Sequence, residues 1–188
     1  PIDFELARSN VSHGSAGLIN LAFPDVSNEE HERLRTDYLN RYEEAVCVDS
    51  VLFPGLDSLL DTFQEAAVPW GIVTNKPARM TAPLLAALGL SSRAACMISG
   101  DTIPERKPHP APMLLACEQT GLAPHNTLYI VDAARDIEAG KAAGMFTIAA
   151  SYGYIPADDD PQAWGADMIV EDTRELTKIL LKGVSLNS

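Results

Sequence analysis

The chain has 188 residues, the size of one ordinary domain or of a core with a small appendage, and its 46% hydrophobic content is enough to bury a core. A formal net charge of −12 and a pI near 4.6 argue against nucleic acid or an anionic membrane surface as partner, because phosphates would be repelled over most of the surface. No run approaches the ~20 apolar residues that span a bilayer, and the N-terminal region lacks a basic stretch followed by an apolar one, so neither an anchor nor a signal peptide is expected.

Residues 1–52 read as helical. Residues 14–23 form a short apolar helix and residues 28–46 a longer one, opened by Ser27 and Glu30 in the pattern of a capping box. Leu34, Tyr38, Leu39 and Tyr42 fall along one face of the longer helix. At Phe53-Pro54-Gly55 the texture changes. From there amphipathic helices alternate with short apolar strands: helix to about Ala66, strand 70–74, helix 78–88, strand 95–99, helix 110–120, strand 127–131, helix 137–143, strand 147–150, strand 167–170 and helix 173–181. Repeated β-α units imply parallel pairing with right-handed crossovers, hence an α/β fold with a three-layer, Rossmann-like parallel sheet. Two regions follow, a small helical piece over 1–52 and an α/β core over 53–188. Cys47, Cys96 and Cys117 are widely spaced in apolar surroundings, which predicts buried thiols in a reducing, cytoplasmic compartment rather than disulfides.

Three strand ends carry the candidate chemistry. In Gly71-Ile72-Val73-Thr74-Asn75-Lys76-Pro77 an apolar run stops at Thr74 and Asn75, which can hydrogen-bond an anion, and Pro77 suits the first turn of a helix. In open parallel sheets ligands sit outside such carboxyl ends; taken alone, Thr74 and Asn75 serve equally well as helix caps. Lys107 stands in Arg106-Lys107-Pro108-His109-Pro110, where two prolines stiffen the mount of a charge, and His109 reads as a surface or capping residue. Asp132 and Asp136 follow the apolar run Leu128–Val131, and two carboxylates on one strand-end loop can share a hard cation through oxygen ligands, Mg2+ above all. The plain alternative is a turn at Asp132 and helix capping by Asp136, with Arg135 neutralising one of them. Taken together, the three ends bring hydroxyl, amide, ammonium and a carboxylate-held cation to one sheet edge, a set that binds phosphate.

These segments resemble the haloacid dehalogenase-like superfamily, phosphatases that form an aspartyl-phosphate intermediate. Ile72-Val73-Thr74-Asn75 is similar to that family's second motif, Lys107-Pro108 to its third and Asp132-x-x-x-Asp136 to its fourth, in the same order. Residues 11–14, 71–77, 99–102, 107–110, 152–155 and 164–167 carry a narrower resemblance to the phosphoglycolate phosphatase branch and its N-acetylmuramic acid 6-phosphate phosphatases. The resemblance implies a Mg2+-dependent phosphomonoester hydrolase acting on a small phosphorylated metabolite, with residues 1–52 as a partial helical cap. By it, Thr74 and Asn75 bind the phosphoryl group and Lys107 neutralises it. Asp132 and Asp136 hold Mg2+, and Ser12 and His13 face the site from the cap.

Two departures from the pattern set further expectations. Val131 stands where the fourth motif normally has glycine, and a β-branched side chain there is expected to crowd the metal-binding loop. The first motif, Asp-x-Asp-x-Thr, which supplies the nucleophile from the first strand, occurs nowhere in the 188 residues, and Asp158-Asp159-Asp160 precedes Pro161 rather than following a strand. The chain therefore reads as beginning inside the cap, roughly thirty to forty residues short of the usual β-α pattern. As given it is expected to be inactive, with weak Mg2+ binding. The alternative is a catalytically dead fragment that binds phosphate or a protein partner; a hydrolytic dehalogenase fits less well, since that chemistry does not call for a carboxylate pair holding Mg2+. With the first strand lacking, the strands ending at Thr74 and Val131 are expected to stand apart, without ladder bonds between them and with Val73 and Ile130 lining the slot.

Overall fold

A computed structural model describes residues 2–185; Pro1 and residues 186–188, at the two ends of the expected regions, lie outside it. The helical piece opens with a short helix, α1 (Phe4–Ser9), that hydrophobic periodicity does not single out. Its start is set by Asp3, whose carboxylate accepts the N–H groups of Glu5 and Leu6 at 3.0 and 3.1 Å. Helices α2 (Gly14–Ala22) and α3 (Asn28–Glu44) pack on each other. Ser27 caps α3 by accepting the Glu30 N–H at 3.2 Å, but the Glu30 carboxylate turns to Arg33 at 2.5 and 2.9 Å, so only half of the expected capping box forms. Ile19 is the one buried hydrophobic side chain among the described residues up to 52; Leu34, Leu39 and Tyr42 are half-buried and Tyr38 is exposed.

Beyond Pro54 the expected alternation appears: α4 (Leu56–Glu65), β1 (Gly71–Val73), α5 (Ala78–Ala87), β2 (Cys96–Ile98), α6 (Ala111–Thr120), β3 (Leu128–Val131), α7 (Ala134–Ala143), β4 (Phe146–Ala150), β5 (Met168–Val170) and α8 (Thr173–Ser185). All strand pairs are parallel. β1 pairs with β2 in register Gly71 to Cys96, β3 with β4 in register Leu128 to Phe146, and β4 with β5 in register Ile148 to Met168.

Successive residues on a strand face opposite ways, and β4 uses both faces. Ile148 and Ala150 join Leu59 of α4 and Leu176 and Leu180 of α8, whereas Ala149 joins Val131 and Ile137 of α7. Helix–strand–helix layering follows directly. α6 and α7 meet over the side where β1 and β3 approach, burying Met113, Cys117, Ala139 and Ala143, with Val73 and Tyr129 packed against that cluster.

The sheet is split where the family resemblance implies. β1–β2 and β3–β4–β5 are separate sheets, and no ladder pair joins β1 to β3 among the described residues. The side chains differ from expectation: Val73 is taken into two core clusters, while Ile130 remains 37% exposed. Alternation explains this, since Tyr129 and Val131 take the α7 side of β3 and leave Leu128 and Ile130 on the other. Cys96 and Cys117 are buried thiols, but Cys47 lies half-buried just after α3, its thiol 3.7 Å from the Ser50 carbonyl, because the thin helical piece offers no core to receive it.

Candidate active site

Thr74 sits immediately beyond β1, its N–H donated to the Ile98 carbonyl at 2.9 Å, so the ladder to β2 carries the chain to the site. Its hydroxyl oxygen accepts the Lys76 N–H at 3.1 Å, a tight turn that leaves the hydroxyl proton available to an anion. The Asn75 side chain spans the Lys107 backbone, donating to its carbonyl at 3.1 Å and accepting its N–H at 3.2 Å. Asn75 therefore positions Lys107, which sequence order alone does not reveal. Gly100 allows this packing: a Cβ there would lie 2.1 Å from the Asn75 carbonyl oxygen, and its own N–H donates to the Lys76 carbonyl at 2.9 Å. Asp101 accepts the Ala78 N–H at 2.8 Å and so caps α5 from the neighbouring loop. His109 is exposed and accepts the Ala111 N–H at 3.2 Å, the capping role anticipated for it.

Lys107 is buried. Its ammonium donates to the Val73 carbonyl and the Tyr129 hydroxyl, both at 3.1 Å, and lies 3.0 Å from Asp136 Oδ1. It thus bridges the ends of the two separate sheets. Burial pulls the Lys107 pKa below the usual lysine range, against the opposing attraction of Asp136. Burial, with the Asp136 charge adding to it, pushes the Tyr129 phenol well above its ordinary value. Tyr129 is absent from the expected site; the available signal was its polar tip inside an otherwise aliphatic strand directly before Asp132.

Helix α7 begins at Ala134, three residues before the expected start, so Asp136 lies inside the first turn rather than ahead of the helix. The extra turn forms because Ala133 accepts the N–H groups of Asp136 and Ile137 at 3.0 and 3.3 Å. Asp136 is buried and its Oδ1, although close to the Lys107 ammonium, makes no aligned hydrogen bond. A buried anionic oxygen in that condition suits a hard cation. Asp132 accepts the Tyr154 N–H through Oδ2 at 3.0 Å, and its Oδ1 makes none of the described hydrogen bonds. The loop bearing Tyr154 packs tightly here, since a Cβ on Gly153 would lie 2.2 Å from Asp132 Cβ. The donor set fits Mg2+ as two carboxylates, and no group of three or more metal-binding side chains exists among the described residues. Val131 packs against Ile137 and Ala149 in the core.

Ser12 of the helical piece reaches the same edge. Its hydroxyl donates to the Tyr154 carbonyl, and its own carbonyl accepts from the Arg135 guanidinium at 2.7 Å. His13 is exposed. A second contact holds the piece to the core: Lys76 Nζ lies 2.6 Å from the Tyr42 hydroxyl, and Arg79 pairs with Glu43 at 2.6 Å. The acidic run serves structure, with Asp159 accepting from the Trp164 indole at 2.7 Å and Asp160 capping residues 161–164.

Residues 18–150 match the family model for haloacid dehalogenase-like hydrolases. An N-acetylmuramic acid 6-phosphate phosphatase of Pseudomonas aeruginosa is 41% identical over 181 residues, covering 96% of this chain and 80% of that protein. A phosphoglycolate phosphatase of Xanthomonas campestris pv. campestris is 41% identical over 169 residues, 90% of this chain and 76% of that protein. Among solved structures, a predicted phosphoglycolate phosphatase from Haemophilus somnus superposes with a TM-score of 0.83 at 26% identity, covering 95% of this chain and 83% of that one. With the family model spanning the strand ends of Thr74, Lys107 and Asp132, and relatives matching nearly the whole length, the chain belongs to the haloacid dehalogenase-like hydrolases.

Proposed function

We propose that this chain carries the phosphate-gripping and cation-holding half of a phosphomonoester hydrolase acting on a small phosphorylated metabolite of the phosphoglycolate or N-acetylmuramic acid 6-phosphate type. The observation that carries this reading is the buried Lys107 ammonium, held between the Val73 carbonyl at the end of β1 and the Tyr129 hydroxyl of β3, beside Asp136. In this reading Thr74 donates its hydroxyl proton to a phosphoryl oxygen and Asn75 fixes the Lys107 backbone. Lys107 offsets phosphate charge inside an acidic protein, Asp132 and Asp136 hold Mg2+, and Ser12 and His13 meet the organic part of the substrate. Bound Mg2+ would supply charge neutralisation at the phosphoryl oxygens.

Covalent transfer also needs a carboxylate aimed in line at phosphorus. In this reading Asp132 and Asp136 are both committed to the cation, Asp132 with Oδ2 also on the Tyr154 N–H and Asp136 buried beside Lys107, so neither is assigned that role. The 188-residue chain is therefore proposed to bind phosphate without turnover, a binding reading favoured by the lack of any Asp-x-Asp-x-Thr segment in it. A phosphate-release assay with Mg2+ and both substrates tests this. The expected result is no release above background; release abolished by Asp132→Asn would mean that another nucleophile operates and that the proposed division of roles is wrong.

A further inference from the structure

Resting on the proposal that Asp132 and Asp136 hold a divalent cation, we infer that Arg135 is a positioning residue that links docking of the Ser12 loop to occupancy of that carboxylate pair. The contacts form a closed circuit. The Ser12 hydroxyl donates to the Tyr154 carbonyl, while the Tyr154 N–H donates to Asp132 Oδ2 at 3.0 Å. Arg135 Nη2 donates to the Ser12 carbonyl at 2.7 Å, and Arg135 Nε stands 3.9 Å from Asp136 Oδ1. The backbone of one residue, Tyr154, and one guanidinium thus connect a single loop of the helical piece to both carboxylates.

Arg135 has two acceptors within reach, and they differ in kind. The Ser12 carbonyl is neutral and bonded; Asp136 Oδ1 is anionic and buried, with the Lys107 ammonium 3.0 Å away but no aligned hydrogen bond. With the loop docked, the guanidinium is held on Ser12 and stops short of hydrogen-bonding distance to Asp136. If the loop leaves, Arg135 loses its neutral acceptor and the anionic oxygen becomes its best remaining partner. Lys107 already stands 3.0 Å from Asp136 Oδ1, so a guanidinium added to that oxygen would take the remaining approach and charge that a cation needs, and guanidinium and cation exclude each other. Loop docking therefore favours the cation, and by reciprocity the cation favours loop docking. The thin packing of residues 2–52, where Ile19 alone is buried, keeps the undocked loop accessible at low cost.

The test uses the 188-residue chain, Mn2+ as the probe of affinity by electron paramagnetic resonance, and Mg2+ for hydrogen exchange of the peptides covering residues 10–13 and 152–155. In the parent chain, saturating Mg2+ is expected to slow exchange of both peptides by about 5- to 10-fold, the low end of an ordinary coupling between sites. Arg135→Ala is expected to bind Mn2+ about 5- to 10-fold more tightly, since a competing positive charge is gone, and to lose the Mg2+ response of residues 10–13. Arg135→Gln keeps a donor for the Ser12 carbonyl, so it is expected to retain loop protection without Mg2+ while showing the tighter Mn2+ binding. A purely structural Arg135 would instead lower loop protection in both variants and leave Mn2+ affinity unchanged, which would overturn the linkage while sparing the carboxylate-pair reading. Mn2+ binding that is undetectable at tens of millimolar, or unaffected by Asp136→Asn, would sink that reading and this inference together.

Discussion

Lys107 shows how much one buried charge depends on its surroundings. Its ammonium has Val73, Tyr129 and Asp136 around it at 3.0 to 3.1 Å, and little solvent. Removing the cation strands the Asp136 carboxylate, so Lys107→Ala is expected to destabilise the fold by roughly 3–5 kcal/mol, as for other broken buried pairs. Urea unfolding measures this, and a loss under about 1 kcal/mol would show that Asp136 is solvated after all. Tyr129 gives a pH signature. Its folded pKa is raised well above the ordinary value, so above about pH 10 the unfolded chain releases a proton that the native chain keeps, and stability falls as pH rises. Lys107 acts oppositely: its pKa is lowered in the fold, so stability rises with pH between that value and the unfolded ~10.4. Tyr129→Phe removes the first contribution and keeps the second. Its stability between about pH 9 and 11 should therefore fall less steeply than the parent's, or rise; an unchanged slope would contradict the assignment.

At the scale of elements, the site depends on loops packed closely enough for one peptide to touch another. The Gly100 and Asn75 backbones meet with no room for a methyl group. Gly100→Ala is expected to cost about 1–3 kcal/mol by forcing the two loops apart. It should also weaken binding of inorganic phosphate, because Asn75 would no longer hold Lys107 in register. Calorimetric titration with phosphate checks the second part; a destabilised variant with unchanged affinity would separate the loop packing from the anion site. The early start of α7 belongs to this scale too. Ala134 and Arg135 have good helix propensity, and once Ala133 accepts two helical N–H groups nothing delays the helix to Ile137. An Asp at position 136 looks like a cap in the sequence and becomes an interior residue of the first turn in the fold.

For the whole molecule, the decisive feature is a sheet in two parts. The β1 and β3 edges face each other without a ladder, and Met97, Leu128, Ile130 and Phe146 remain 37–48% exposed. Backbone groups kept dry and unpaired cost about 1–3 kcal/mol each, against a typical net stability of ~5–15 kcal/mol. The chain is expected to be marginally stable and to bind a hydrophobic dye in its native state; a cooperative melt above about 65 °C with no dye binding would count against this. Stability should also be uneven. Hydrogen exchange is expected to find α2 and α3 nearly unprotected and α6 and α7 close to the global limit, because the former bury one apolar side chain and the latter form a shared core cluster. Uniform protection across both regions would show that the contacts of Ser12, Tyr42 and Glu43 bind the helical piece more firmly than its packing implies.

Local pattern was sufficient for the element order beyond Pro54, the parallel layering and the loop positions of Thr74, Lys107 and Asp132, because periodicity and strand ends are properties of neighbouring residues. The absence of a ladder between β1 and β3 was expected from the family resemblance alone, which places a further strand between them. Tertiary structure alone decided the partners. Asn75 clamps a stretch of backbone 32 residues away, Lys107 meets a phenol 22 residues on, and Arg135 finds a carbonyl 123 residues back. Such pairs are chosen by which loops the sheet carries to one edge and how closely glycines let them pack. A hydrogen bond needs its two atoms at about 3 Å, and separation along the chain says nothing about that distance once the fold has turned.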